Sequence, residues 1–175
     1  MFDTQNYFVL FQLPLTLPIN ITDLNTQYQQ LQRQFHPDNY VLASDHEKAA
    51  IMQKSAIINF AYKTLKDPIK AAEYRVSLEN MNVDIEHDII CDPEFLGEQF
   101  DLREKLDDIE QRCDWSSLDE FYDEIILKNK EIYHSLLLAI EQSNWQIARV
   151  IIYRLRYLAR LIEQIELLQE KQFDL

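Results

Sequence analysis

A single glycine, Gly97, in a chain of 175 residues limits what this sequence can build. Tight hairpins and phosphate-cradling loops rely on glycine, which alone takes left-handed backbone angles freely. Long helices need none. Hydrophobic residues make up 47% of the chain, enough for a packed core, and the expected fold class is all-α. The length admits one domain or two small ones. Cys91 and Cys113 are isolated and form no C-x-x-C pair. They read as reduced thiols without a disulfide framework or a zinc site, which suits a cytosolic protein. Asp3 comes early, no basic region precedes an apolar run, and no unbroken apolar stretch reaches about 18 residues. The expectation is a soluble cytoplasmic protein, with no membrane segment.

Charge divides the chain. Residues 1–76 carry 7 acidic and 7 basic side chains, whereas residues 77–175 carry 23 acidic and 10 basic, so the whole net charge of −13 lies in the second part. That split points to two functional units and disfavours nucleic acid or an anionic membrane as partners of the second. A solubilising acidic face is the plainer alternative.

Helix signals recur along the chain. Tyr7 to Phe11 reads by propensity as a short strand, or equally as a short apolar helix, since no strand partner lies nearby. After Pro14 and Pro18, Asn20 is a good N-cap, Asp23 suits the first turn, and Ile19 and Leu24 are spaced as a hydrophobic staple. Leu24, Tyr28, Leu31 and Phe35 then form one helical face. Ser44 to Glu47 is a capping box, followed by Ile51, Ile58, Tyr62 and Leu65 at helical spacing. Asp67-Pro68 opens a shorter helix reaching Leu78. Residues 79–91 show no stripe and read as a linker. Asp92-Pro93 then starts a long helix to about Arg112. Ser117 to Glu120 reads as the capping box of the next, and Ser143 to Gln146 as the start of the last, which reaches about Lys171. Three helices with short turns predict an antiparallel three-helix bundle over 92–175.

Between the first two long helices stands Gln34-Phe35-His36-Pro37-Asp38-Asn39. Pro37 has no N–H to donate and pushes His36 out of the α region, so the preceding helix stops here. A polar corner remains, with an imidazole, a rigid ring and a carboxylate. His36 as a general base has no nucleophile or orienting group in the same stretch. The triplet reads as a preorganised docking surface or as an ordinary turn.

At about 100° per residue, Phe95, Leu102, Leu106, Ile109 and Cys113 fall within about 40° of one direction and form a core stripe. Leu96 and Phe100 lie about 100° and 140° away, on a face shared with Glu104, Asp108, Asp101 and Gly97. Apolar anchors with a charged rim are the pattern of a binding patch. Packing against the first unit or the linker is the alternative. In the last helix Ile151, Leu155, Leu158, Ile162 and Ile165 form the stripe, with Tyr157 about 120° off it. Tyr157 either joins the Leu96/Phe100 patch or lies half-buried on the bundle with its hydroxyl in water.

These residues carry a resemblance. Tyr28, Leu31 and Phe35-His36-Pro37-Asp38, then Ile58-Asn59, Ala61-Tyr62 and Leu65, then Asp67-Pro68 and Ala72-Glu73-Tyr74, resemble a J-domain, the module with which DnaJ-type co-chaperones engage Hsp70. Phe95 to Glu104 with Leu155 to Leu158 resembles the HscB-type co-chaperones of iron–sulfur cluster assembly. The resemblance covers essentially the whole chain. It implies a J-domain over 1–78 that stimulates ATP hydrolysis by a specialised, HscA-like Hsp70 through His36, Pro37 and Asp38, with Arg33 on the preceding helix. It implies a bundle over 92–175 that binds the IscU-like scaffold protein through Leu96, Phe100, Asp101, Glu104, Asp108 and Tyr157. The protein itself then does no bond chemistry and needs no cofactor or metal. Three departures stand out. Asn39 replaces the common lysine after the triplet, and the basic face before it is reduced to Arg33. Gly97 stands where relatives carry a larger apolar side chain. The paired cysteines of some eukaryotic members are absent, which favours a bacterial form.

Two other readings compete. One is a J-domain co-chaperone with a different client. The other is a carboxylate-bridged metal bundle, prompted by Glu131-x-x-His134. Such sites need a second Glu-x-x-His, and only Asp84-x-x-His87 is present, in the linker.

Overall fold

The computed structural model describes residues 6–40, 44–79 and 93–173. Every regular element among them is helical, and the chain divides into two compact units, Met1–Leu78 and Glu79–Leu175. The expected linker, apart from Glu79, lies outside the described residues, as do the expected Asp92 cap and Cys91.

In the first unit, α1 spans Tyr7–Leu10, α2 Ile21–Gln34, α3 Asp45–Lys66 and α4 Pro68–Ser77, with a 3-10 turn over Pro37–Tyr40. The segment that reads equally as strand or helix is a helix. Asn6 caps it, its side-chain oxygen accepting from the Phe8 N–H at 2.9 Å. Asn20 caps α2 by accepting from the N–H groups of Thr22 and Asp23. Ser44 and Glu47 close both halves of the capping box on α3. The Ser44 hydroxyl, donating to the Glu47 carboxylate at 2.7 Å, and the Ser44 N–H, at 2.9 Å, hold that carboxyl below the usual carboxylate range, the hydroxyl being the larger cause. Asp67 caps α4, with Pro68 at its start. Phe8, Phe11, Leu24, Phe35, Ile58 and Leu65 fill the core. Along one edge of the α2–α3 hairpin Tyr28 and Tyr62 stack at 3.9 Å. Their hydroxyls are satisfied across the hairpin: Tyr28 donates to Asn59 at 2.9 Å and Tyr62 to Asn25 at 2.8 Å. Buried aromatic surface thus keeps its polar tips bonded.

In the second unit, α5 spans Pro93–Arg112, α6 Trp115–Glu141 and α7 Trp145–Phe173. Leu102, Leu106 and Ile109 of α5 meet Leu118, Phe121 and Ile125 of α6 and Leu158, Leu161 and Ile165 of α7 in one core. That is a three-helix bundle.

Three local readings are corrected. Cys113 is exposed and outside the core stripe, because it lies past the end of α5 with φ of 52°. Asp114, not Ser117, caps α6: its carboxylate accepts from the Ser117 N–H at 3.2 Å and hydroxyl at 2.7 Å, which lowers its pKa. Asp114 wins because an earlier start adds a turn and brings half-buried Trp115 onto the core. The last helix opens within 143–146, as its sequence reads, with Asn144 as the cap, its side-chain oxygen accepting from the Ile147 N–H at 3.4 Å. Ser143 instead has φ of 55°. Finally, Ile152, Leu161 and Leu168 are buried in α7, while Ile151 and Ile162 are only half-buried. A helix of 29 residues follows its neighbours rather than a straight projection.

The helix ends have a common device. Gln12, Cys113 and Ser143 are the described non-glycine residues with positive φ. Each sits one or two residues past the last helical residue, with the paired backbone bonds of a Schellman cap; for Ser143 they run from its N–H to Ile140 O at 3.0 Å and from the Asn144 N–H to Ala139 O at 2.8 Å. Glycine is the usual occupant, since a side chain there strains against the backbone. Ser143→Gly is therefore expected to stabilise the fold by up to about 1 kcal/mol, the relieved strain being partly offset by a freer unfolded chain. Urea unfolding of the two proteins measures it.

Candidate functional site

The turn after α2 is built on the helix end. Phe35 closes α2, its N–H donating to Leu31 O at 2.9 Å. The next orphan carbonyls take partners from the turn itself. The Asn39 side-chain amide donates to Arg33 O at 2.7 Å, and the Tyr40 hydroxyl to Gln34 O at 3.1 Å. Helix C-termini leave such carbonyls unpaired unless something reaches back to them. Phe35 is buried beneath, and the Lys54 ammonium of α3 lies 5.4 Å from its ring centroid.

His36 and Asp38 stand outward on this base, with side chains 54% and 86% exposed. The His36 Nδ1 accepts from the Asp38 N–H at 3.3 Å. That bond selects the tautomer with the proton on Nε2, leaving an N–H to offer a partner. The Asp38 carboxylate is 3.6 Å from Nδ1, an ion pair only when the imidazole is protonated. Arg33 is exposed on the last turn of α2. His36 and Asp38 thus meet on the turn, three and five residues after Arg33, and Tyr40 is added as a residue the sequence did not single out. Asn39, a missing charge by its sequence, is a clamp in the fold. An amide two residues past a proline, just after a helix, was the available signal.

On α5, neighbours in sequence part company. Phe95 is 3% exposed, while Leu96 is 47% and Phe100 67% exposed. Asp101, Glu104 and Gly97 are exposed on the same side. Asp101 and Glu104 make no ion pair among the described residues, but Asp108 pairs with Arg112 at 2.8 Å. An open groove of about 390 Å³ runs along Phe100, Arg103, Glu104, Asp107, Asp108 and Gln111. Lys128 of α6 pairs with Glu98, and Lys105 with Glu124 at 2.6 Å, so α5 is also tied to α6 by charge.

Tyr157 lies half-buried on the bundle, beside the Leu96/Phe100 patch. Its ring is half-buried edge-on to Phe95, and its hydroxyl is not left to water. It donates to the backbone oxygen of Gln99 at 2.8 Å, one residue before Phe100. Tyr157 thus ties α7 to α5 directly behind the patch. The sequence could place it off the stripe but not supply its acceptor, a main-chain carbonyl.

Known proteins share this architecture. Residues 91–166 match the family model described as the HSCB C-terminal oligomerisation domain. The co-chaperone protein HscB homolog of Photobacterium profundum is 38% identical over 170 residues, 97% of this chain and 99% of its own. The chain belongs to the HscB co-chaperone family. Among solved structures, chaperone HscB from Vibrio cholerae has a TM-score of 0.86 at 34% identity, covering 96% of this chain and 99% of that one. Human co-chaperone protein HscB has a TM-score of 0.87 at 30% identity, covering 99% of this chain and 85% of that one. The protein is a J-domain co-chaperone of iron–sulfur cluster assembly that works with an Hsp70, with an N-terminal J-domain and a C-terminal helical domain. No described helix is long and apolar enough to cross a membrane. Glu131 and His134 are exposed on α6, and no three metal-ligating side chains come together among the described residues.

Burial holds the Tyr157 hydroxyl above the ordinary tyrosine pKa, with Arg103 opposing and Glu98 adding. A raised pKa in the fold means stability that is full below about pH 10 and lost as pH rises through the shifted value. Tyr157→Phe is expected to cost about 0.5–1.5 kcal/mol near neutrality, the range of one hydrogen bond. It should also lessen the alkaline loss of stability, leaving the part due to Tyr122 and Tyr133, whose pKa values are likewise raised. Urea unfolding at neutral pH and above pH 10, roughly the free tyrosine value, tests both.

Proposed function

We propose that the two faces serve two partners. The J-domain, over 1–78, docks on a specialised, HscA-like Hsp70 through His36, Pro37, Asp38 and Arg33 and stimulates its ATP hydrolysis. Residues 79–91 link it to the bundle over 92–175, which holds an IscU-like scaffold protein and presents it to the chaperone. Leu96 and Phe100 are the apolar anchors of that second site, Asp101, Glu104 and Asp108 its acidic rim, and Tyr157 the brace behind it. The protein catalyses no bond change of its own and carries no cofactor. It acts in the bacterial cytoplasm, a reading supported by the bacterial relative from Photobacterium profundum. Neither nucleic acid nor membrane is a partner.

One observation carries the scaffold site: two large apolar side chains stay in water on a helix whose adjacent stripe is buried. An exposed apolar pair with a charged rim is the usual core of an interface. The turn supports the chaperone site by offering the partner a surface already fixed, so less entropy is lost on docking.

In single-turnover ATP hydrolysis by the Hsp70, the wild type is expected to accelerate the step and His36→Gln to fail. Equal acceleration by the variant removes the turn from the mechanism. Leu96→Ala and Phe100→Ala are each expected to weaken scaffold binding by about 1–2 kcal/mol or more. Binding should also fall as salt rises, mainly through the association rate. Unchanged titration curves for the double variant, with intact circular dichroism, would reassign the patch, and a flat salt response would make the carboxylates merely solubilising.

A further inference from the structure

Gly97 is the only glycine of the chain, and nothing in the fold asks for it. It is the fifth residue of α5, inside the helix, and no glycine has positive φ. A Cβ built there meets nothing within 4 Å, so no packing excludes a side chain. Glycine inside a helix loses stability relative to any ordinary residue. The described positions with positive φ, where glycine would relieve strain, hold Gln12, Cys113 and Ser143 instead. The one glycine is thus absent from the places the backbone favours it and present where the backbone is harmed by it.

Its surroundings supply the reason. Phe100 and Asp101 follow Gly97 by three and four residues, so they flank it on the same helix face, with Leu96 beside it and Glu104 one further turn along. Leu96 and Phe100 are the exposed large apolar side chains of α5. Bare backbone between Phe100 and Asp101 leaves open space where a side chain would stand, bordered by an apolar ring on one side and a carboxylate on the other. We propose that this open space is the specificity-determining element of the scaffold site: it receives a protruding apolar side chain of the scaffold protein, flanked there by a basic residue that meets Asp101. The inference rests on the α5 face being the scaffold site. Knobs enter holes wherever helices approach closely, and small residues set how close that approach is. Gly97 is therefore the socket into which the partner fits, and its missing side chain is what gives the face its shape.

The test is titration of the iron–sulfur scaffold protein from the same organism with wild type, Gly97→Ala, Gly97→Leu and Leu96→Ala/Phe100→Ala. Gly97→Ala should weaken binding a few-fold and Gly97→Leu by about tenfold or more, because a filled hole forces the partner off its seat. Both variants should melt higher than the wild type, since each improves the helix, so weaker binding cannot be blamed on misfolding. Gly97→Leu binding as tightly as wild type, or tighter, overturns the proposal: the position then gains from added apolar surface. Unchanged binding by Leu96→Ala/Phe100→Ala overturns it differently, by removing the whole face from the scaffold site.

Discussion

A helix packed on a bundle buries one stripe and leaves its remaining faces to water, and everything assigned to α5 depends on that constraint. Phe95, Leu102, Leu106 and Ile109 occupy the stripe. Leu96 and Phe100, only one and five residues beyond Phe95, are carried round to solvent by the same 3.6-residue period. Burial of the stripe therefore fixes the exposure of the pair, and no loop or hinge is needed to present it. The brace behind the pair works likewise from backbone geometry. Tyr157 bonds a main-chain carbonyl of α5, so the bond survives substitution of the α5 side chains around it.

The His-Pro-Asp turn is held by a different kind of constraint. A proline ends α2 by refusing to donate, but ending a helix leaves carbonyls open. Here the turn answers its own problem: Asn39 and Tyr40 reach back to Arg33 and Gln34. The turn is anchored by short bonds to a helix that is itself packed through Leu24 and Phe35. After the triplet, Asn39 commits its side chain to the Arg33 carbonyl, giving rigidity where a cation would give charge. A J-domain with few cations near its turn gains less from long-range attraction and more from a docking surface that needs no rearrangement.

Much of this was legible in the residues. The caps at Asn20, Ser44 and Asp67, the stripes of α2, α3 and α5, and the exposure of Leu96 and Phe100 follow from spacing and cap chemistry alone, because both are local. Where two caps compete, as Asp114 and Ser117 do three residues apart, local rules do not choose; the core position gained by Trp115 does. Cys113 matched the α5 stripe in angle, yet a left-handed residue ends the helix just there. The roles of Asn39 and Tyr157 were hidden for a shared reason. Each bonds a backbone carbonyl, and a carbonyl leaves no mark in a sequence. The α5 face stood out as a patch from its angles, whereas the misfit of Gly97 showed only once the left-handed positions were known.

The central claim is that one chain joins two partners through two separate faces. It is tested most directly by a mixing experiment on single-turnover ATP hydrolysis by the Hsp70 with scaffold present. The His36→Gln protein has an intact scaffold face, and the Leu96→Ala/Phe100→Ala protein an intact turn. If the faces must act from one molecule, the mixture stays well below the rate that wild type reaches at the same concentration. Recovery of the wild-type rate by the mixture would contradict the account, because the two contacts would then be separable events that need no shared chain.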